Sequence, residues 1–388
     1  MSDTSGDNDE LVAGIFGDLD YEMAELERRD FQPWHRPRKQ FVRREQWAAQ
    51  VRRLYADRPT DDPLRYLGLP GTDLIDLRYL HDQICRPDDR PLIFLGFNSE
   101  AQPDSRARRD LAISLYEVGR LPNVQQQHSD VIHDNFRRLS DESSIAWKRA
   151  RALGPFDVVN IDLCDGLASD SPEIPQTIYD ALGQVTALQS HSLTPWLLLI
   201  TTRIGRDMFD PDAEAAILQR FHDNVCACDG FTDECQHYLG LDATTIDSST
   251  CSDEDYFKLM IVALGKWLAK LVQASRASQV VLASTLGYRI VKSAPCEDLV
   301  SIALRCEPIF PRPKDALSPT PPLPFDECKT AKRIVRRAAN RKDIDSILEV
   351  DPAMHEALVV EMEELLTAAH YDVSRYRPWL GSSASSRR

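Results

Sequence analysis

The sequence predicts an α/β protein: a doubly wound, mostly parallel seven-stranded sheet with an antiparallel last strand, extended by helical N- and C-terminal segments. Three observations carry this. From Pro63 onward, short apolar runs alternate with helical patterns, as βαβ units require. Phe156 to Leu163 (FDVVNIDL) is a β-branched, apolar run of the kind a buried parallel strand shows. Val280 to Ser284 and Leu299 to Arg305 are too close in sequence for a crossover helix, so they are expected to be antiparallel neighbours.

The elements follow in order. Leu64 to Leu69 is the first strand, ending in Pro70-Gly71. Thr72 is placed to cap a helix with Leu74, Leu77, His81 and Ile84 on one face. Pro91 to Phe97 is the second strand, ending in Asn98-Ser99-Glu100, followed by a helix over about Asp104 to Val118 that Gly119 stops. Val124 to Val131 makes a weaker third strand, before Phe156 to Leu163. A helix is expected from about Glu173 to Gln189, then the buried strand Trp196 to Thr202. Ser252 and Asp255 form a capping pattern before a long helix bearing Phe257, Met260, Ile261, Leu264, Leu268 and Leu271.

The chain of 388 residues is long enough for one large core with appendages. We divide it into an acidic tail (1–27), a basic and aromatic helical arm (28–62), the α/β domain (63–308), a proline-rich linker (309–327) and a small helical tail (328–388). Hydrophobic residues at 43% and charged residues at 28% are those of a globular protein, and no apolar run approaches the roughly 20 residues needed to cross a bilayer. No export signal stands at the acidic amino terminus, so a cytoplasmic, bacterial-type protein without a membrane partner is expected. Nine irregularly spaced cysteines fit reduced thiols.

A net charge of −15 excludes a surface basic all over but not local basic patches. Arg36, Arg38, Lys39, Arg43 and Arg44 crowd a stretch that also holds Phe31, Trp34, Phe41 and Trp47, a mixture suited to phosphate contact and base stacking. The alternative is a helical arm clamped to the core by Trp34 and Trp47, its arginines merely solvated. In the tail, Lys329, Lys332, Arg333, Arg336 and Arg337 fall at i, i+3, i+4, i+7 and i+8, a basic stripe on one helix face. A second helix, about Pro352 to Ala369, is acidic and suited to neutralising the first. Cys226, Cys228, Cys235 and His237 are of types that bind zinc, but their C-x-C-x6-C-x-H spacing is not that of a common zinc finger, and ordinary buried cysteines are the simpler expectation.

The order of elements over residues 63 to 308 resembles the class I S-adenosylmethionine-dependent methyltransferases, and its layout is most similar to the RNA guanine-N2 dimethyltransferases. The stretches that carry the resemblance are LGLPGTDLIDLRYL, FDVVNIDLCDG and WLLLITTR. The resemblance implies S-adenosylmethionine as cofactor, with Gly68, Gly71 and Thr72 near its methionine moiety, Glu100 on the ribose hydroxyls and Asp130 on the adenine amine. It places Asp162 and Asp165 at the catalytic pocket. The sequence departs from the family where a G-x-G loop is reduced to Gly68-x-x-Gly71. It departs again where the proline and aromatic after the fourth-strand acid are replaced by Leu163-Cys164-Asp165, which removes the stacking of an extruded base. Two functions are therefore expected. One is a methyltransferase-like protein that binds the cofactor and acts on nucleic acid held by the two basic segments. The other is a catalytically inactive scaffold or adaptor in a multi-protein bacterial assembly, nucleic-acid-binding or defence-related.

Overall fold

The computed structural model describes residues 29–167, 176–275, 277–291, 294–309 and 325–382; the side chains of Cys164 and Asp165 lie outside this description. Its sheet is built from β1 (Leu64–Gly68), β2 (Leu92–Phe97), β3 (Asp130–Ile132), β4 (Val158–Gly166), β5 (Trp196–Arg203), β6 (Ser278–Tyr288), β7 (Leu299–Pro308) and β8 (Lys342–Asp343). The strand order is β3-β2-β1-β4-β5-β7-β6-β8. Strands β1 to β5 are parallel neighbours, while β7 runs antiparallel to both β5 and β6. The doubly wound sheet with an antiparallel strand is thus as expected. The eighth strand is a two-residue addition from the C-terminal segment, too short to show a period in sequence.

Both faces of the sheet are covered, and strand alternation decides which side chain goes where. Leu198 and Ile200 of β5 join one core with the helices Ile178–Gln189 and Asp253–Gln273, while Leu197 and Leu199 face the other. On that second face lies the N-terminal segment, a helix running through Pro37–Phe41, Val42–Ala48 and Ala49–Tyr55, the middle part with the wider π spacing. Phe41, Val42, Trp47, Ala48, Val51 and Leu54 bury its apolar side against Leu64, Tyr66 and Val158. At roughly 1.5–3 kcal/mol for each fully buried large side chain, this helix is part of the core and not an appended arm.

The C-terminal helices also pack on the sheet. Ala331, Ile334, Val335 and Ala338 of the helix Glu327–Ala339 join the first core, and Leu358, Val359, Met362 and Leu366 of Pro352–Ala368 join the second. The acidic helix therefore does not neutralise the basic one. Its Glu361 instead accepts from Arg44 at 2.9 Å and from Gln40 at 3.0 Å. Cys228 and Cys328 form a disulfide between residues 100 apart, against the expectation of reduced thiols throughout. The acidic tail, most of the proline-rich linker and the expected helix start at Glu173 lie outside the described residues.

Candidate functional site

In open α/β sheets the place for a ligand is outside the carboxyl ends of the strands, where neighbouring connections leave in opposite directions. Here that point lies between β1, followed in the order by β2 and β3, and β4, which starts the other half. A cleft of about 290 Å³ opens there, near the lower end of the range for small-molecule sites. Its walls come from Pro70, Gly71, Asp73 and Asp76 after β1, Asn98 and Glu100 after β2, Asp134 and Phe136 after β3, and Asp162 and Gly166 of β4, with Trp34 and Arg43 contributed by the N-terminal segment.

Local hydrogen bonds hold these loops. Asn98, itself buried, donates from Nδ2 to the carbonyl of Pro70 at 3.0 Å and accepts at Oδ1 from the backbone N–H groups of Glu100 and Ala101. One amide side chain thus ties the loop after β1 to the loop after β2. The turn expected to be capped by Thr72 is instead organised by Asp73, whose Oδ1 accepts from the N–H of Ile75, and the helix Ile75–Leu80 begins after Leu74 in a left-handed conformation. Gly166 is required at its place: a Cβ there would come within 2.1 Å of the Met208 carbonyl oxygen. Gly68 lies inside β1, where it makes room for the Tyr66 hydroxyl, and does not reach the cleft.

The expected acid of the third strand needs correcting. Asp130 begins β3 instead of ending it, is not among the residues lining the cleft and pairs with Arg149 at 2.9 Å. The strand is displaced toward the C-terminus relative to the apolar pattern, because Val124 makes only an isolated bridge to Leu92. The carboxylate that follows β3 and lines the cleft is Asp134. Asp162 lines it from β4, whereas the side chain of Asp165 lies outside the described residues.

Three acid–base pairs close the β1/β4 side of the cleft. Lys39 pairs with Asp162 and lies over the Trp47 ring, 4.6 Å from its centroid. Arg43 pairs with Asp76 at 2.6 Å and donates to the Trp34 carbonyl at 2.9 Å. His35 pairs with Asp73 at 2.8 Å. Since His35 Nδ1 accepts from the N–H of Gln32, Nε2 carries the proton and donates to Asp73. Burial alone raises the Asp73 carboxyl, but the hydrogen bond from His35, the Ile75 N–H and the Arg43 guanidinium together bring it down to about 2. For Asp162 burial prevails: it raises the carboxyl, Asp76 adds to the rise, and Lys39 and Arg43 oppose it.

The N-terminal basic residues are consequently not a free surface. Lys39 and Arg43 are buried, Arg38 pairs with Asp345, Arg44 with Glu45 and Glu361, and Arg36 lies over the Trp379 ring at 4.5 Å. Their charge answers carboxylates distant in sequence, which a charge run does not reveal. In the helix Glu327–Ala339, Arg336 pairs with Glu234 at 2.7 Å, while Lys329, Arg333 and Arg337 are exposed and make no ion pair among the described residues; Lys332 is half-buried. Among the described residues no group of three or more His, Cys, Asp or Glu is placed to hold a metal, and Cys228 is taken by the disulfide. No described helix is long and apolar enough to cross a membrane.

The strand order, with an antiparallel strand inserted between β5 and β6 and a cleft at the switch point, defines a protein of the class I methyltransferase fold. The chain belongs to the PP_RS20740-like family, whose model matches residues 28–381. Comparison with curated proteins finds no match. Among solved structures, a Listeria monocytogenes protein assigned to the class I S-adenosylmethionine-dependent methyltransferases is 12% identical, over 87% of this chain and 73% of that one, with a TM-score of 0.36. Magnesium protoporphyrin IX methyltransferase from Synechocystis, with bound cofactor, is 14% identical over 57% and 88%, at 0.28. A type I restriction-modification methyltransferase subunit from Streptococcus thermophilus is 10% identical over 86% and 59%, at 0.32. These likenesses are loose, and the fold assignment rests on the strand order itself.

Proposed function

We propose that the cleft binds S-adenosylmethionine and that the chain is a methyltransferase-like protein. The observation that carries this reading is the pair of carboxylates, Glu100 after β2 and Asp134 after β3, lining one cleft at the switch point beside the Pro70-Gly71 loop. Adjacent strand-end carboxylates suit the ribose hydroxyls and the exocyclic amine of a nucleoside, both of which donate hydrogen bonds. Bound there, the cofactor supplies an electrophilic methyl group. The protein's part is to hold it in line with an acceptor and keep water out. The test is calorimetric titration of the purified chain with S-adenosylmethionine and S-adenosylhomocysteine. Micromolar binding that Glu100→Ala weakens about tenfold or more supports the reading, and no binding at millimolar ligand sinks it.

A nucleic-acid acceptor, as the layout resemblance to the RNA guanine-N2 dimethyltransferases implies, is supported by the exposed Lys329, Arg333 and Arg337. Reversing Arg333 and Arg337 should weaken RNA or DNA binding and lower the slope of affinity against salt by about two, one for each lost phosphate contact. Unchanged binding would show that the stripe serves another partner. The non-catalytic reading is favoured by a different observation: Asp162, the fourth-strand acid, is already engaged by Lys39. Cofactor binding without methyl transfer to any nucleic acid would decide for the scaffold.

A further inference from the structure

Trp34 stands in the cleft wall although it lies outside the strand-and-loop pattern from which the rest of the site is built. Its indole Nε1 is buried and has no hydrogen-bond partner among the described residues. It comes within 3.5 Å of where a Cβ on Gly71 would be, so the N–H lies alongside the loop after β1. An indole N–H donates and never accepts, and a buried donor left without an acceptor is costly. The nearest carboxylates at this end, Asp73, Asp76 and Asp162, are answered by His35, Arg43 and Lys39. The indole therefore calls for an acceptor that the protein does not supply.

Strand order says which part of a ligand that acceptor belongs to. Asp134 and Glu100 stand after β3 and β2, whereas Gly71 stands after β1, the neighbour of β4, with Trp34 from the N-terminal segment beside it. A ligand with its nucleoside at the two carboxylates extends its other end to Trp34. There, Asp76 and Asp162 each stand against a cation, and the guanidinium of Arg43 itself lines the wall toward which an anionic group would extend.

We infer that Trp34 is a ligand-binding residue whose indole N–H donates to the carboxylate of an amino acid joined to a nucleoside. The inference rests on the S-adenosylmethionine reading and adds the residue that recognises the end of the ligand remote from its base. The wall is set in advance from behind. Arg43 holds the Trp34 carbonyl, and the Tyr376 hydroxyl donates to the carbonyl of His35. Phe31 packs on Tyr371, Tyr376 and Trp379 with centroids 5.4–5.7 Å apart.

Two titrations of the full chain test this. Trp34→Phe keeps the ring and removes the N–H. It is expected to bind S-adenosylhomocysteine about tenfold or more weakly than wild type while binding adenosine within about twofold, the loss appropriate to one hydrogen bond to a charged group. Independently of any variant, the wild-type chain is expected to bind decarboxylated S-adenosylmethionine about tenfold more weakly than the carboxylated form. Equal losses for adenosine and S-adenosylhomocysteine in the variant, or equal binding of the two forms by wild type, overturn the assignment of Trp34 alone. Failure of wild type to bind any of these nucleosides overturns it together with the cofactor reading.

Discussion

Lys39, in the helix that precedes the first strand, forms an ion pair with Asp162 near the end of the fourth, and both are largely removed from solvent, with side chains 4% and 18% exposed. Breaking a buried pair strands one charge, which typically costs about 3–5 kcal/mol. Lys39→Met is accordingly expected to lose about 3 kcal/mol in denaturant unfolding at pH 8, and Lys39→Met with Asp162→Asn to recover part of it. The deficit should depend on pH. Without Lys39 the Asp162 carboxyl rises further above its unfolded value, so the folded state gains stability on binding the proton and loses it as pH climbs. The single variant is then closer to wild type at pH 5 than at pH 8, and a pH-independent gap would contradict the pairing.

Asp73 titrates in the opposite sense. Its carboxyl is held down to about 2 in the fold, against an ordinary value near 4 when unfolded. Its contribution, about 2 kcal/mol, is fully present above about pH 4 and is lost as pH falls toward 2. Asp73→Asn should therefore be less stable than wild type by a constant amount between pH 5 and 7, with the gap narrowing below pH 4. Urea unfolding across that range reads it directly.

The displaced third strand makes a paired prediction. Asp134→Ala is expected to weaken cofactor binding about tenfold, and Asp130→Ala, which removes only an exposed pair with Arg149, to change it by less than twofold. Calorimetry on the two variants separates the residue after the strand from the residue that begins it.

Cysteine accessibility gives a fourth test. In the native protein, alkylation should reach the exposed Cys226. It should spare Cys85 and Cys235, whose thiols burial pushes up to about 12, and should reach Cys228 and Cys328 only after reduction. The disulfide closes a loop of 100 residues, for which chain entropy alone allows up to about 4.7 kcal/mol. Cys328→Ser is expected to melt several degrees below wild type without reductant and to show no difference with it.

The legible parts of the fold were those written in local pattern. The apolar runs at β1, β2, β4 and β5 carry their own strand signal, and their order specifies the doubly wound sheet. The cleft followed from the strand ends, which is why Glu100, Gly71 and Asp162 appear in its lining. What local pattern did not show was pairing over distance. A run of arginines looks the same whether it meets solvent or, as Arg38, Arg43 and Arg44 do, carboxylates at positions 345, 76 and 361. The place of Trp34 in the cleft wall is not legible for the same reason: it depends on Gly71, brought beside it only by the fold. Asp134 was missed because β3 is three residues long, too short for a period of two to place its end.

The contact of Tyr376 with the carbonyl of His35 joins residues 341 positions apart, almost the full reach of the matched family region. A chain leaving the ribosome has β1, β2 and β4 available long before Tyr376, so the sheet can begin to assemble while the wall carrying Trp34 still lacks its backing. A chain cut before Tyr376 would carry the strand-end carboxylates of the cleft without the contact that backs the Trp34 wall.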